Sequence, residues 1–361
     1  MKIEELNKYL GNIQMTIVEA MQRIDKNNAG ILYIADEQRK LIGSLTDGDI
    51  RRWIIKTGEL TGKIEQAMFC NPKFLFEENY NYETEKNFFS SNTLQSVPIV
   101  DKNKKIINII FRNKNAINVL NKNNISLSKI PIIIMAGGKG TRLYPYTKII
   151  PKPLIPIGDV PIIERILNRF RKYGAEKFFI TLNHKKEMIK SYLNELNVNY
   201  EINYVEENEP LGTAGSIRLI DEKFDTPIIV TNCDILIETN YEDIFLHHKK
   251  FKNALTIVSS LKNTTIPYGV IHSREEGIVS SMEEKPIISY LINTGMYIIN
   301  AEHIEKIPKD EVFNMTDLID RLIKENYKVG IYPISEDSFL DMGEFEEMKR
   351  MEEKIYSNVI R

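Results

Sequence analysis

Three glycines stand close together in Met135-Ala-Gly-Gly-Lys-Gly-Thr-Arg-Leu143, directly after an apolar stretch. Glycines let backbone amides approach a ligand closely, as phosphate groups require, and Lys139 and Arg142 add positive charge. Arg142 can clamp two phosphate oxygens at once. The run lacks the Gly-Lys-Ser/Thr of a Walker loop, and Leu143 takes the third glycine position of the dinucleotide fingerprint. We therefore predict a phosphate-binding loop of another kind. The alternative is a glycine-rich turn that only joins a strand to a helix.

Two further charged side chains also indicate the binding of phosphate groups. Lys152 lies in Pro151-Lys-Pro-Leu-Ile-Pro156, where the prolines exclude a helix and hold the lysine in a fixed direction. Asp234 follows an apolar strand predicted for Pro227 to Val230. A carboxylate at the end of a strand is well placed to hold Mg²⁺ against triphosphate oxygens. Taken alone, Asp234 could equally be a solvated loop acid.

Alternating strands and helices must position these residues. A helix is predicted over Ile162 to Tyr173, ended by Gly174. Strands are predicted for Pro131–Met135, Lys177–Leu182, Tyr200–Val205, Pro227–Asn232 and Ala254–Ser259. The alternation predicts an α/β fold with a mostly parallel sheet, whose ligand site lies beyond the carboxyl ends of the strands. His247-His248-Lys249-Lys250 is interpreted as a solvated helix face rather than a metal-binding pair.

A two-copy repeat occupies the amino-terminal part. Its first copy contains predicted strands at Gly30–Asp36 and from Lys40, followed by a helix that begins at Ile50. The second copy has strands at Ser96–Asp101 and Ile106–Phe111 and a helix at Ala116–Leu120. We predict a first domain over 1–121, a linker over 122–129 and a second domain over 130–361.

Composition excludes several classes of protein. The 361 residues exceed one ordinary domain, and the formal net charge of −2 argues against nucleic acid as a partner. Cys70 and Cys233 are too few for a disulfide framework. Glu4 and Glu5 stand where a signal peptide needs positive charge, and the apolar stretches are too short to span a bilayer. We expect a soluble cytoplasmic protein that binds no membrane.

The second domain closely resembles the sugar-1-phosphate nucleotidyltransferases. The resemblance rests on Ala136-Gly-Gly-Lys-Gly-Thr-Arg-Leu-Tyr-Pro-Tyr-Thr147 and Pro151-Lys-Pro-Leu-Ile-Pro-Ile-Gly158. It implies a Rossmann-like, GT-A-like fold and Mg²⁺ as the cofactor. It also implies nucleotide-binding roles for Ala136, Gly137, Gly138, Gly140 and Thr141, and catalytic roles for Arg142, Lys152 and Lys285.

Two later segments match the same family in its order. Glu209-Pro-Leu-Gly-Thr-Ala-Gly-Ser216 resembles the base-binding segment, which assigns Gly212 and Thr213 to the nucleotide, and its wording is most like the guanylyltransferase branch. The simpler interpretation of Thr213 or Ser216 is a helix cap, and both can hold together. Phe339-Leu-Asp-Met-Gly343 resembles the metal-binding Trp-Leu-Asp-x-Gly and implies that Asp341 joins Asp234 as a metal ligand. Phe339 departs from the family's tryptophan.

A third group of segments resembles the sugar side of these enzymes. They are Tyr268-Gly-Val270, Glu283-Glu-Lys-Pro286 and Asn293-Thr-Gly-Met-Tyr297. The resemblance implies that Lys285 neutralises the sugar phosphate and that the following residues bind the sugar phosphate: Tyr268, Gly269, Glu284, Asn293 and Thr294. The alternative for Glu283 to Lys285 is an ordinary charged strand end.

The amino-terminal repeat resembles a tandem pair of cystathionine-β-synthase (CBS) domains, which are of βαβ type. Gly43-Ser-Leu-Thr46-Asp-Gly-Asp49 fits the pattern that lines an adenosine pocket in that family, which implies that Thr46 and Asp49 bind a regulatory purine nucleotide. The second copy offers neither side chain in Ile107 to Asn113. Two alternatives stay open: one nucleotide site, or a purely structural role in forming a homo-oligomer.

The resemblance as a whole implies a Mg²⁺-dependent enzyme that joins a nucleoside monophosphate unit to a hexose 1-phosphate and releases pyrophosphate. It favours GTP and glucosamine 1-phosphate, in the manner of enzymes that serve legionaminic acid synthesis for surface glycans. One alternative is a uridylyl- or thymidylyltransferase. The other is a nucleotide-sensing regulatory protein with an inactive transferase half. Both predicted carboxylates, Asp234 and Asp341, are present, which argues against an inactive half.

Overall fold

Residues 3–27, 29–112 and 127–359 are described by a computed structural model of the chain. It distinguishes two units. The first comprises Met1–Asn123 and Leu261–Leu291, and the second comprises Asn124–Ser260 and Ile292–Arg361. The segment Leu261–Leu291, which we assigned to the second domain, is thus grouped with the first unit. The predicted helix at Ala116–Leu120 and most of the predicted linker lie outside the described residues.

The first unit begins with two small sheets. Its helices are α1 (Ile3–Leu6), α2 (Ile17–Asn27), α3 (Asp47–Thr57) and α4 (Tyr82–Ser91). Its strands are β1 (Leu10–Asn12), β2 (Ile31–Ala35), β3 (Leu41–Thr46), β4 (Leu75–Phe76), β5 (Ser96–Val100) and β6 (Ile106–Phe111). Within the described ranges, β1-β2-β3 form one sheet and β4-β5-β6 another. Short 3₁₀ helices lie at Asn7–Tyr9, Ile64–Gln66 and Glu77–Asn79.

Both sheets follow one pattern, as the sequence repeat predicts. The first two strands of each are parallel and the last two are antiparallel. The register shifts once in each antiparallel pair, after Ile34 in one sheet and after Ile99 in the other. Helix α3 buries Ile50, Trp53 and Ile54, whose spacing of three and four residues places them on one face. The helix predicted after the second strand of this copy is confirmed, although it begins at Asp47 rather than Ile50.

The second unit is built on a larger sheet. Its strands are β7 (Ile132–Met135), β8 (Pro156–Ile157), β9 (Val160–Pro161), β10 (Lys177–Leu182), β11 (Glu201–Glu206), β12 (Ile228–Asn232), β13 (Ile235–Ile237) and β14 (Leu255–Thr265). The segment Leu261–Leu291 of the first unit comes next in the chain; it takes in the end of β14, a hairpin of β15 (Gly269–Ser273) and β16 (Val279–Glu284), and the start of β17. The last strands are β17 (Ile287–Ile299), β18 (Val329–Ile334) and β19 (Phe339–Asp341).

Helices alternate with these strands. They are α5 (Ile162–Arg171), α6 (Lys186–Glu195), α7 (Gly212–Gly215), α8 (Tyr241–Phe251), α9 (Met315–Lys324) and α10 (Phe345–Val359). Short 3₁₀ helices lie at Leu127–Lys129, Thr141–Leu143, Tyr146–Lys148, Lys152–Leu154, Ser216–Leu219, Glu275–Gly277, Ala301–Lys306 and Glu336–Ser338. Among the described residues, no helix is both long enough and apolar enough to cross a membrane.

The main sheet is mostly parallel, as predicted. In the described part of the chain its strand order is β11-β10-β7-β12-β17-β14-β18. The strands β11, β10, β7 and β12 run parallel, and β17 is antiparallel to β12. Central β7 is buried on both faces: Ile132 and Ile134 pack into one apolar cluster and Ile133 into another. The glycine-rich run that follows β7 therefore lies at the carboxyl edge of the sheet, where ligands bind in folds of this kind.

Helix α5 confirms one expectation, and α8 corrects another. Ile163, Ile166, Leu167 and Phe170 of α5 are buried, as their spacing predicts. The interpretation of the two histidines as a solvated face is wrong for His248, which is buried. Its ring nitrogens lie 2.8 Å from the Thr256 hydroxyl and 2.9 Å from the Asn300 amide oxygen. These partners lie on other elements, so periodicity along α8 alone does not reveal them.

Candidate active site

A cavity of about 390 Å³ opens at the carboxyl ends of three neighbouring parallel strands. Thr181 of β10, Met135 of β7 and Asn232 of β12 stand side by side in the strand register and line it. Its volume lies within the range of small-molecule sites. The position agrees with the general rule for open α/β sheets.

The glycine-rich loop forms one wall of this cavity. Gly137, Gly138, Gly140 and Thr141 line it, as predicted, whereas Ala136 is buried and donates its amide to the Thr181 carbonyl. A Cβ on Gly138 would meet nothing within 4 Å, so that stretch of backbone faces open space. Gly140 has a φ of 64°, which favours glycine. The loop therefore presents its backbone to the cavity, as phosphate binding requires.

Two cations predicted from sequence lie at the cavity. Arg142 lines it beside the loop, and Lys152 enters from the proline-rich run. Lys152 is only 8% exposed, and its ammonium group forms an ion pair with the Asp234 carboxylate. Burying a lysine costs free energy unless it is paired. The fold thus brings the Lys152 and Asp234 motifs together.

The two predicted carboxylates are also neighbours. In the antiparallel pair of β13 and β19, Ile235 lies opposite Asp341, and the Met342 amide donates to the Asp234 carbonyl at 2.8 Å. Burial raises the pKa of Asp341, and the negative charge of Asp234 raises it further. Two oxygen ligands in a partly dehydrated setting fit Mg²⁺, which takes one or two carboxylates and completes its shell with water and substrate phosphates. The donor set therefore suits the cation that the sequence implies.

Glu207 is a cavity residue that the sequence analysis missed. It is 6% exposed, and its Oε2 accepts from the Leu211 amide at 3.0 Å. Burial raises its pKa, while the Leu211 amide and the Ser216 hydroxyl lower it. A signal was available, because Glu207 directly follows β11 at the strand end where ligand contacts are expected.

Gly212 and Thr213 line the same cavity, and both also have a structural role. Gly212 has a φ of 78°, and a Cβ there would lie 2.7 Å from the Phe313 carbonyl oxygen. The Thr213 hydroxyl accepts from the Met315 amide at 2.9 Å and so caps the first residue of α9. Thr213 therefore does cap a helix, but that helix is α9 rather than one that begins in the Glu209–Ser216 segment.

A second, smaller cavity of about 240 Å³ adjoins the first. Arg142, Asn232 and Asp234 line both, and Asp341, Asn293 and Thr294 line the second. The Asn293 amide nitrogen donates to the Tyr297 hydroxyl at 2.7 Å, and its oxygen accepts from the Gly295 amide at 3.0 Å. The Thr294 hydroxyl donates to the Val258 carbonyl at 2.7 Å. Their polar atoms already have partners within the fold, and their binding of sugar stays a prediction.

The remaining sugar-side residues lie on the first unit. Gly269 and Glu284 pair across the β15–β16 hairpin, with Tyr268 just before it and Lys285 just after. Tyr268 is 74% exposed. Their roles toward the sugar phosphate stay predictions.

Thr46 and Asp49 form a capping box at the start of α3. The Asp49 carboxylate accepts from the Thr46 amide at 2.9 Å and from its hydroxyl at 2.6 Å, and the Thr46 hydroxyl accepts from the Asp49 amide at 3.1 Å. Asp49 also pairs with Arg52. Thr-x-x-Asp before an apolar run is a known signal for a helix start, so this structural role could have been predicted. Their role toward a purine nucleotide stays a prediction.

The part of the chain that contains this site is similar to known proteins. The chain is 34% identical over 184 residues to the mannose-1-phosphate guanyltransferase of Debaryomyces hansenii, covering 48% of this chain and 51% of that protein. It is 31% identical over 214 residues to the D-glycero-α-D-manno-heptose 1-phosphate guanylyltransferase of Campylobacter jejuni, covering 58% and 93%. The crystal structure of HddC from Yersinia pseudotuberculosis matches with a TM-score of 0.51 at 28% identity, covering 63% and 99%.

The chain spans about half the length of the fungal guanyltransferases that it matches. A CBS domain model matches residues 12–56, which confirms the first of the two predicted copies; the second copy stays a prediction. The model of the Nucleotidyl transferase family matches residues 131–358. That range is more than half of the chain and contains both cavities. This chain therefore belongs to the nucleotidyl transferase family and carries an amino-terminal CBS domain.

Proposed function

We propose that this protein transfers a nucleoside monophosphate from a nucleoside triphosphate, with GTP preferred, to a hexose 1-phosphate, with glucosamine 1-phosphate preferred. Pyrophosphate is the second product. The observation that carries the proposal is the meeting of Arg142, Lys152, Asp234 and Asp341 where the two cavities adjoin. A larger cavity for the nucleotide and a smaller one for the sugar phosphate would place both substrates at these four charges.

The reaction needs no covalent intermediate with the protein. An oxygen of the sugar phosphate attacks the α-phosphorus in line, and pyrophosphate departs with the electron pair of the broken bond. Positioning and neutralisation of charge then supply most of the catalysis. Arg142 can hold phosphate oxygens bidentately, and Lys152 offers a point charge beside them. Asp234 and Asp341 would hold Mg²⁺, which supplies further positive charge to the triphosphate.

Glu207 supports the preference for guanine. Guanine presents two adjacent donors, N1–H and the N2 amino group, and an ionised carboxylate accepts both at once. Uracil and thymine present a single N3–H on the corresponding edge. The placement of Glu207 in the cavity, next to Gly137, would therefore favour GTP. The two relatives named above as guanylyltransferases support the same preference.

We expect Glu207→Gln to lower kcat/KM for GTP by about 10- to 100-fold and to spare UTP. Glutamine replaces one acceptor by a donor that faces a guanine donor, and an unmatched buried group costs about 1–3 kcal/mol. Steady-state kinetics with each triphosphate measures this ratio. The matched control is Glu206→Gln, since Glu206 is an exposed neighbour paired with Lys186 and Lys190. Equal losses with GTP and UTP would remove Glu207 from base selection.

Mass spectrometry of products tests the proposed function itself. The protein is incubated with Mg²⁺, each of GTP, UTP, dTTP and ATP, and a panel of hexose 1-phosphates that includes glucosamine and mannose 1-phosphates. A GDP-sugar, with GDP-glucosamine dominant, is the expected product. A UDP- or dTDP-sugar would favour the uridylyl- or thymidylyltransferase alternative. No product with any pair would favour the regulatory alternative.

We also propose a biosynthetic pathway and a cellular location for the enzyme. Synthesis of a nucleotide sugar for legionaminic acid and surface glycans rests on the resemblance of the whole chain. A cytoplasmic location follows from that role, since nucleoside triphosphates are made there.

We also propose that a purine nucleotide binds the amino-terminal unit at one site per chain. Asp49→Ala should abolish this site and also lower stability by about 1 kcal/mol, because it removes the capping box. Calorimetry on the full chain with AMP, ATP, GMP and GTP counts the sites. Asp47→Ala is the control, since Asp47 lies in the same helical turn and pairs with Arg51. An unchanged stoichiometry in Asp49→Ala would leave the unit as an oligomerisation scaffold.

A further inference from the structure

Asn232 occupies the wall between the two cavities and has no role so far. Only Arg142, Asn232 and Asp234 line both cavities among the residues that the structure describes. Arg142 is a phosphate clamp, and Asp234 carries the negative charge that pairs with Lys152. Asn232 is the neutral member of the three. A side chain at this position can contact a ligand in either cavity.

The backbone of the neighbouring strand leaves space for the Asn232 side chain. Asn232 ends β12, and across from it Gly295 of β17 has a φ of 88°. A Cβ on Gly295 would lie 2.8 Å from Cγ of Asn232, so only glycine leaves room for the carboxamide. Asn293 and Thr294 hold this part of β17 in place through the hydrogen bonds described above. The Asn293–Gly295 segment, which the sequence predicts to bind the sugar phosphate, thus also fixes the position of the Asn232 side chain.

The Asn232 carboxamide is available to a ligand. The structure shows a hydrogen bond to its backbone carbonyl, from the Thr231 hydroxyl at 3.2 Å, but none to its side chain within the described ranges. The side chain is half-buried and opens into both cavities. A carboxamide offers two donors and no charge. Beside Asp234 and Asp341, a neutral donor can bind a phosphate oxygen without adding to the negative charge.

We propose that Asn232 is a catalytic residue that donates from its amide nitrogen to a phosphate oxygen at the reacting centre. As the new bond forms between the sugar phosphate oxygen and the α-phosphorus, the bond to the departing pyrophosphate oxygen breaks. Asn232 donates to an oxygen whose charge increases during this exchange. Donors fixed at such a place contribute most in the transition state. The proposal rests on the proposed nucleotidyl transfer but not on the identity of the base or the sugar.

The test compares Asn232→Ala and Asn232→Asp with wild-type protein. We expect Asn232→Ala to lower kcat by about 100-fold, equal to about 2.7 kcal/mol, with both KM values within about threefold of wild type. Asn232→Asp should lower kcat at least as far, because a third carboxylate repels the phosphates. The control is Asn168→Ala, since Asn168 is exposed on α5 and lines neither of these cavities. Pyrophosphate release measures kcat, and a nonhydrolysable GTP analogue measures nucleotide binding by calorimetry.

The outcomes separate this proposal from its alternatives. Wild-type kcat in Asn232→Ala would overturn it, and so would a raised KM for the sugar phosphate with kcat unchanged. Thermal melting checks each variant, and Asn232→Asp keeps the size of the side chain if Asn232→Ala does not fold. Wild-type kcat in Asn232→Asp would also overturn the proposal. Product formation by wild-type protein is measured first, so a failure of the proposed function appears there, and the Asn232 proposal then falls with it.

Discussion

Asp234→Asn should lower turnover at least about 100-fold, equal to about 2.7 kcal/mol of activation barrier. The substitution removes the negative charge that we propose Asp234 shares with Asp341 in holding a divalent cation, and it leaves Lys152 without its ion pair. Asparagine keeps the size of the side chain, and its amide oxygen can still accept from Lys152. We therefore expect the protein to stay folded. Pyrophosphate release in the presence of Mg²⁺ measures the effect.

The matched control for this variant is Asp159→Asn. The Asp159 side chain is 89% exposed and pairs only at the surface with Arg165, so its removal should leave turnover unchanged. Circular dichroism and thermal melting show that both variants are folded. A folded Asp234→Asn protein with near-normal pyrophosphate release would remove Asp234 from the metal site.

Arg142→Lys should lower kcat/KM for the triphosphate by about 100-fold. A guanidinium group binds two phosphate oxygens in one plane, whereas an ammonium group is a compact point charge and cannot replace it. Arg142 lines both cavities and lies beside Asp341 at Gly343, so we propose that it contacts phosphate groups of both substrates. Steady-state kinetics with each substrate varied in turn measures the effect.

The control for this variant is Arg165→Lys, which makes the same chemical change on α5. Arg165 donates to the Ile157 carbonyl and lines neither of these two cavities. Its kinetic constants should match those of wild type. If Arg142→Lys changes only the KM for the sugar phosphate, Arg142 serves the second cavity alone.

Much of the second unit could be predicted because its signals are local. The run Pro131 to Met135 predicts a buried strand, and β7 is that strand. The glycines after it are placed at the binding edge by the chain itself. The spacing of Ile163, Ile166, Leu167 and Phe170 likewise predicts the core face of α5. Each signal lies within about a dozen residues, which is the range over which periodicity and turn chemistry act.

Roles that depend on distant partners could not be predicted in this way. His248 stands in a polar run, yet Thr256 and Asn300 bury it and satisfy both ring nitrogens. Thr213 caps α9 through Met315, about a hundred residues away. For such residues the sequence specifies a side chain that can form hydrogen bonds, and the packing of other elements decides with which atoms.

The sequence by itself determined the place of the glycine-rich loop after β7, the parallel strands and the likeness to the family. The tertiary structure alone decided which carboxylates meet, since Asp234 and Asp341 become neighbours through the pairing of β13 with β19. It also decided that Glu207 enters the cavity and that Gly295 leaves room for Asn232. The physical reason is that backbone preference and hydrophobic period act between near neighbours in the chain. A binding site, by contrast, is made of strand ends that the sheet brings together from distant parts of the sequence.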